Sequence, residues 1–212
     1  MRIGYLPRSF ESRASDGRVT RNETALAALQ TLRDAGATLT AVEAPPGAQL
    51  EGLSPMDLAE RGAAFQEALR SGKLAELESS STWPPLFRMA QFISAAAYIN
   101  AHRVRARYCH EWWQRLRGYD VVVTAQLNTL AMSMAGMPAM VVPTGERALS
   151  APRNGPSAGA AEFPAGQMAV SSEGRPSIAF FGAPFQDEKV LALASAYQRA
   201  TAYHRLRPPS FP

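Results

Sequence analysis

The run Asp120-Val121-Val122-Val123-Thr124 limits the architecture of this chain more than any other feature. Consecutive β-branched residues favour an extended backbone, and an apolar run without polar alternation suits a strand covered on both faces. Ile3–Leu6, Thr38–Val42, Met140–Val142 and Ser177–Phe181 are further short apolar runs. Stretches of helical periodicity separate them, so the expected class is α/β, one partly parallel β-sheet layered with helices.

The helical stretches carry their own punctuation. Thr20-Arg21-Asn22-Glu23 fits a capping box, which predicts a helix from about 21 to 35 with Ala25, Leu29 and Leu32 on one face. Gly36 is placed to take the left-handed conformation that ends it. This strand–helix–strand order predicts a parallel pair between Ile3–Leu6 and Thr38–Val42, joined by a right-handed crossover. Ser54-Pro55-Met56-Asp57 opens another helix, with Ser54 as cap, Pro55 at the first helical position, and Leu58, Phe65 and Leu69 marking its buried face. Ser79–Pro85 reads as a surface loop. The longest helix is expected over about 94–117, because Ala97, Ala101, Val104, Tyr108, Trp112 and Leu116 recur at spacings of three or four. A last helix over 187–203 carries Val190, Ala194, Tyr197 and Thr201 on one side. Residues 146–166, rich in Ala, Gly, Pro and Ser, are the expected mobile loop.

Composition sets outer bounds. With 212 residues, 46% of them apolar, the chain can bury a substantial core, and no shift in composition divides it, so residues 1–212 are expected to form a single α/β domain. Its 22 basic side chains, 20 of them arginine beside Lys73 and Lys189, exceed 18 acidic ones by four, an excess that demands neither nucleic acid nor membrane. No apolar stretch approaches the roughly 18 residues of a membrane span, and the first residues lack a secretory pattern. The expected compartment is cytoplasmic. A single cysteine, Cys109, excludes an internal disulfide and a cysteine-based zinc site.

Candidate chemistry is sparse. Ser79-Ser80-Ser81 has no flanking glycine and reads as a solvated loop rather than a nucleophile. Cys109-His110-Glu111 lists nucleophile, base and orienter, but residues at i and i+1 point to different helix faces and cannot form a triad. His102 and His110 lie two turns apart without a third ligand for zinc, and His204 suits a helix-end cation. The arginines from Arg103 to Arg117 accompany aromatics of the core stripe without a nucleic-acid motif. Gly155, Gly159 and Gly166 do not open a helix after a strand, so phosphate binding lacks its context, and nothing supports a cofactor or metal.

The order of these pieces carries one resemblance. Arg2-Ile3-Gly4-Tyr5-Leu6, the Ala/Leu helix ending in Asp34-Ala35-Gly36-Ala37, Tyr119-Asp120-Val121-Val122-Val123-Thr124, Gly136-Met137-Pro138-Ala139 and Val141-Val142-Pro143 follow one another over some 200 residues. In that order they resemble the C-terminal half of amidase-signature hydrolases. The resemblance implies a mixed sheet layered between helices, and amide hydrolysis by a serine, a second serine in a cis peptide, and a lysine acting as base. It also implies that those catalytic residues lie upstream, in a region without counterpart here, since neither Lys73 nor Lys189 has a matching context. What it carries over is one wall of a substrate pocket for a small-molecule amide, with Thr124, Ala125, Gln126 and Asn128 after the Val121–Val123 strand. Thr124-Ala125-Gln126 stands where similar enzymes have a proline-containing tripeptide, and residues 144–174 are expanded relative to the usual pattern.

The resulting expectation is a C-terminal portion of an amidase-type hydrolase, inactive alone, partnered by an N-terminal amidase half or by itself. A non-catalytic binding or scaffold protein derived from such a half is the first alternative. An autonomous hydrolase with another nucleophile is the second.

Overall fold

A computed structural model describes residues 1–13, 16–45, 52–76, 83–125, 132, 134–145 and 176–206. In chain order these hold β1 (Ile3–Tyr5), a 3₁₀ turn (Pro7–Phe10), β2 (Glu11–Arg13), β3 (Val19–Arg21), α1 (Glu23–Asp34) and β4 (Leu39–Ala41). There follow α2 (Ser54–Ala64), α3 (Gln66–Arg70), α4 (Trp83–Ala90) and α5 (Ala95–Leu116). The last elements are β5 (Val121–Thr124), β6 (Ala139–Pro143), β7 (Ser177–Phe181) and α6 (Asp187–Thr201). Chain contacts divide them into two compact units, one of Met1–Pro45 with Glu111–Pro212 and one of Pro46–His110. No compositional signal marks the second boundary, which falls inside α5.

The first unit is built on a five-stranded sheet in the order β4-β1-β5-β7-β6. β1 pairs in parallel with both β4 and β5, while β7 runs antiparallel to β5 and β6. The sheet is therefore mixed, and the five apolar runs expected to share one sheet do so, with Ile3–Tyr5 and Leu39–Ala41 as the expected parallel pair. One face carries Ile3, Val121, Val123, Val142, Ile178 and Phe180 against α1 and α6 in a single apolar cluster. On the other, Trp112 meets Phe181 edge-on at 5.5 Å. Burial on both faces explains why Val121–Val123 reads as continuous β-branched sequence, and a Cβ on Gly4 would stand 2.6 Å from Val42 and 3.1 Å from Val122.

Local signals were partly displaced by tertiary ones. The α1 cap is Asn22, whose Oδ1 accepts the Ala25 amide at 3.0 Å, not Thr20. Thr20 is taken up by β3, which pairs antiparallel with β2 in a hairpin that the sequence pattern did not reveal. Gly36 does end α1 with φ +89°, and the Ala37 amide reaches back to the Leu32 carbonyl at 2.9 Å.

The second unit is helical. α2 begins with Leu53 at its cap and no side-chain cap bond, so Ser54 lies inside the first turn. Its buried residues are Met56 and Gly62 rather than Leu58, Phe65 and Leu69, because α4 packs so closely that a Cβ on Gly62 would overlap that of Ala90. Phe65 is instead half exposed and stacks on Phe87 with ring centroids 4.6 Å apart. The polar stretch read as a loop through Pro85 gives way at Trp83 to α4, where two prolines in the first turn forgo amides that a helix start leaves unpaired anyway. α5 matches its expected span and buries Ala101, Tyr108, Trp112 and Leu116. Residues 146–166 lie outside the described residues, as do Ser79–Ser81.

Candidate functional site at the carboxyl edge of the sheet

β5 and β6 both oppose β7, so β4, β1, β5 and β6 all point the same way and end at one edge, at Ala41, Tyr5, Thr124 and Pro143. The chain passes from β1 to β4 on one side and returns to β5 on the other. This reversal makes the space beyond β1 and β5 the topological switch point, the place where open α/β sheets have their ligand-binding crevice.

Ser9 spans that crevice. Its Oγ donates to the Leu6 carbonyl at 2.8 Å, just beyond β1, and accepts the Ala125 amide at 3.0 Å, just beyond β5. The Leu6 amide reaches the Val123 carbonyl at 3.0 Å, extending the ladder one step past the strand. A 3₁₀ turn starting with Pro7 holds Ser9 in place.

Aside from aromatic side chains, the buried polar residues among those described are Thr124, 1% exposed, and Thr144, 4% exposed. Both stand at this edge, at the ends of β5 and β6. Thr144 donates its amide to Pro176 at 2.8 Å, whereas its buried Oγ1 has no hydrogen-bond partner among the described residues. A buried hydroxyl left unpaired is costly, so such a group marks a place where a polar partner belongs. Gly145 follows, and a Cβ there would lie 3.4 Å from Thr24 in the first turn of α1. Arg8 and Glu43 form a 3.8 Å ion pair at the same end, exposed enough to contribute little. Besides that exposed ion pair, the described part of the edge carries the neutral hydroxyl residues Ser9, Thr124 and Thr144, which suit a neutral polar ligand.

Thr124, one of the residues that the resemblance implied for a pocket wall, stands at the end of β5 with Ala125 beside it. Gln126 and Asn128 are outside the described residues. Ser9, Thr144 and Thr24 escaped the sequence reading; their signal is a hydroxyl residue just after an apolar run or at a helix start. Two cavities, of about 270 and 500 Å³, lie instead toward the amino ends of β1 and β4. The first is walled mostly by apolar residues, Leu32, Ala192, Leu193 and Ala196 among them, together with Thr31 and Tyr197. The strand reversal and the buried threonines favour the carboxyl edge.

The other candidates have surroundings of their own. Lys189 pairs with Asp120 at 2.8 Å, at the amino end of β5, about 16 Å of strand from Ala125. Cys109 is buried, and burial is the chief influence raising its thiol pKa, with Arg105 acting in the opposite sense, so it lacks the thiolate character of a reactive cysteine. His102 packs edge-on against Tyr98 at 4.6 Å. Among the described residues no three of His, Cys, Asp and Glu are grouped to hold a metal, and no helix is long and apolar enough to cross a membrane.

No family model and no curated protein matches the chain. Solved structures do, among them amidases and an enzyme of the amidase signature family. The urea amidolyase of K. lactis superposes with a TM-score of 0.62 at 18% identity over 97% of this chain and 12% of its own. A bacterial aryl acylamidase of the amidase signature family gives 0.62 at 13% identity, covering 96% of this chain and 44% of its own. A peptide amidase bound to the inhibitor chymostatin gives 0.62 at 19% identity, covering 99% and 45%. This likeness establishes the fold, and the chain spans less than half the length of each of these structures.

Proposed function

We propose that this chain is the C-terminal portion of an amidase-type hydrolase, supplying the scaffold and one wall of a pocket for a small-molecule amide. Thr124, Gln126 and Asn128 contribute to that wall. The nucleophilic serines and the lysine base come from another polypeptide segment. The observation that carries this reading is the placement of Thr124 and Thr144, both buried, at the carboxyl edge of a sheet with the amidase fold. Neutral hydroxyls there suit an amide, whose carbonyl accepts and whose N–H donates.

Activating a serine at neutral pH needs a base within hydrogen-bond reach and preorganised donors for the developing oxyanion, and loss of one such donor costs about 100–1000-fold. The isolated chain is therefore expected not to hydrolyse amides at an enzymatic rate. The test is turnover of a panel of simple amides by the purified chain, with and without an added N-terminal amidase half. Activity restored by that half, and altered by Gln126→Ala or Asn128→Ala, supports the proposal. Robust turnover by the chain alone, abolished by Cys109→Ala or Ser80→Ala, overturns it in favour of an autonomous hydrolase.

A second reading, a non-catalytic binding or scaffold protein, is favoured by the engagement of Lys189 with Asp120 away from the carboxyl edge. It requires that a pair with the N-terminal segment form and remain inactive.

A further inference from the structure

α1 and α6 do not close completely over the amino end of β1. α6 offers Ala192, Ala196 and Ala200, which recur at the helical spacing of i and i+4, and α1 offers Ala35 just before Gly36 ends it. Methyl groups this short leave a gap of about 270 Å³, whose walls include the buried side chains of Ile3, Leu32 and Leu193. Ala192, Ala196 and Ala200 are themselves exposed, so the gap opens to solvent. It lies at the end of the sheet opposite to the carboxyl edge.

Two hydroxyl residues belong to its walls. Thr31 donates its hydroxyl to the Ala27 carbonyl at 3.1 Å, within α1. Tyr197 is 2% exposed, and its hydroxyl is buried without a hydrogen-bond partner among the described residues. The ring is fixed edge-on against Phe180, with centroids 5.8 Å apart. Burial, and after it the nearby Tyr203, push the phenol up to about 12, so at neutral pH it remains a donor. A buried donor without an acceptor is costly, and native structures rarely leave one. Water answers it poorly, since a buried water needs about two to four polar partners and Tyr197 holds the one wall hydroxyl not already donating.

We infer that this gap binds a small neutral molecule made of one apolar ring and one hydrogen-bond acceptor, an aryl ketone in its simplest form, whose acceptor meets the Tyr197 hydroxyl. The size agrees. An apolar cavity of ~150 Å³ takes benzene, so about 270 Å³ leaves room for a ring with a short substituent. An ionised ligand is excluded, because no wall side chain among the described residues carries a charge to pair with it, and burying a charge unpaired is prohibitive. A protein partner is the poorer occupant, since so small a gap supplies little of the roughly 1,200–2,000 Å² that a specific interface buries.

An amide-resolved NMR titration of the chain tests this with acetophenone, which has a ring and a carbonyl, beside ethylbenzene, which has the ring alone. Acetophenone should shift the amides of Leu32, Gly36 and Ala196 saturably and bind about three- to tenfold more tightly than ethylbenzene, the worth of one neutral hydrogen bond. Tyr197→Phe keeps the ring and removes the donor. It should bring acetophenone down to the affinity of ethylbenzene and leave ethylbenzene unchanged. Ala196→Leu, at an exposed position of α6, should fill the gap and abolish binding of both. If Tyr197→Phe fails to fold, the comparison of the two probes and Ala196→Leu decide. Equal affinity for the two probes, acetophenone binding indifferent to Tyr197→Phe, saturable shifts confined to other residues, or no saturable shift at all overturns the inference. Shifts of the same amides that follow the concentration of the chain alone assign the gap to a second copy and overturn it as well.

Discussion

The Lys189 ammonium donates to Asp120 Oδ1 at 2.8 Å while the other oxygen of that carboxylate accepts the Arg2 amide at 2.7 Å. One side chain thus ties the start of β5 to the residue before β1 and to the first turn of α6. The Lys189 hydrogen bond, followed by that from Arg2, holds the Asp120 pKa below its usual value. A depressed carboxylate pKa gives stability that is present above the unfolded-state value and is lost as pH falls through the folded one. Asp120→Asn should therefore lower stability at neutral pH by about 1 kcal/mol, Lys189 being partly exposed, and narrow the acid-side loss between pH 5 and 2. Denaturant titrations of both proteins across that range check it.

Ser9→Ala removes the hydroxyl that joins Leu6 to Ala125. It should cost about 1–2 kcal/mol and speed exchange of the Ala125 amide, which loses its acceptor. Exchange at Val121–Val123 should change only in step with global stability. An unaltered Ala125 rate would show that Ser9 does not hold the two lips of the crevice together.

Gly62→Ala should destabilise the helical unit by about 1–3 kcal/mol, because the overlapping atom is the Cβ of Ala90, fixed to its backbone and unable to swing aside. Gly72→Ala is the contrasting substitution, since nothing lies within 4 Å of its Cβ and only its left-handed φ of +77° opposes it. Thermal unfolding followed at Trp83, in α4, distinguishes the two.

Tyr197 is 2% exposed, and burial pushes its phenol up to about 12. A raised folded-state value means stability fully present below the unfolded value near 10 and lost as pH rises towards 12, by on the order of 2–3 kcal/mol. Its hydroxyl has no partner, so Tyr197→Phe should be neutral or stabilising at pH 7 and should remove this share of the alkaline loss. Comparing the two proteins between pH 9 and 12 provides the measurement.

What the sequence determined by itself is what short-range physics controls. The β-branched run at Val121–Val123, the stripe from Ala101 to Leu116 and the terminator Gly36 each state a local preference that burial reinforces, and the order of the apolar runs was enough to indicate a partly parallel α/β sheet and its amidase-signature likeness. Thr124 was singled out through that likeness, as the residue that ends the Val121–Val123 strand. What only the tertiary structure decided depends on distant partners. Asn22 displaced Thr20 as cap because β2 drew Thr20 into a hairpin, and Gly62 became a contact point because Ala90 closes on it. Ser9 and Ala125 are 116 residues apart in sequence, and no periodicity within either segment could announce that a hydroxyl in one would accept the amide of the other. That bond exists because β1 and β5 are neighbours in the sheet, a fact written in the pairing of strands rather than in either strand alone.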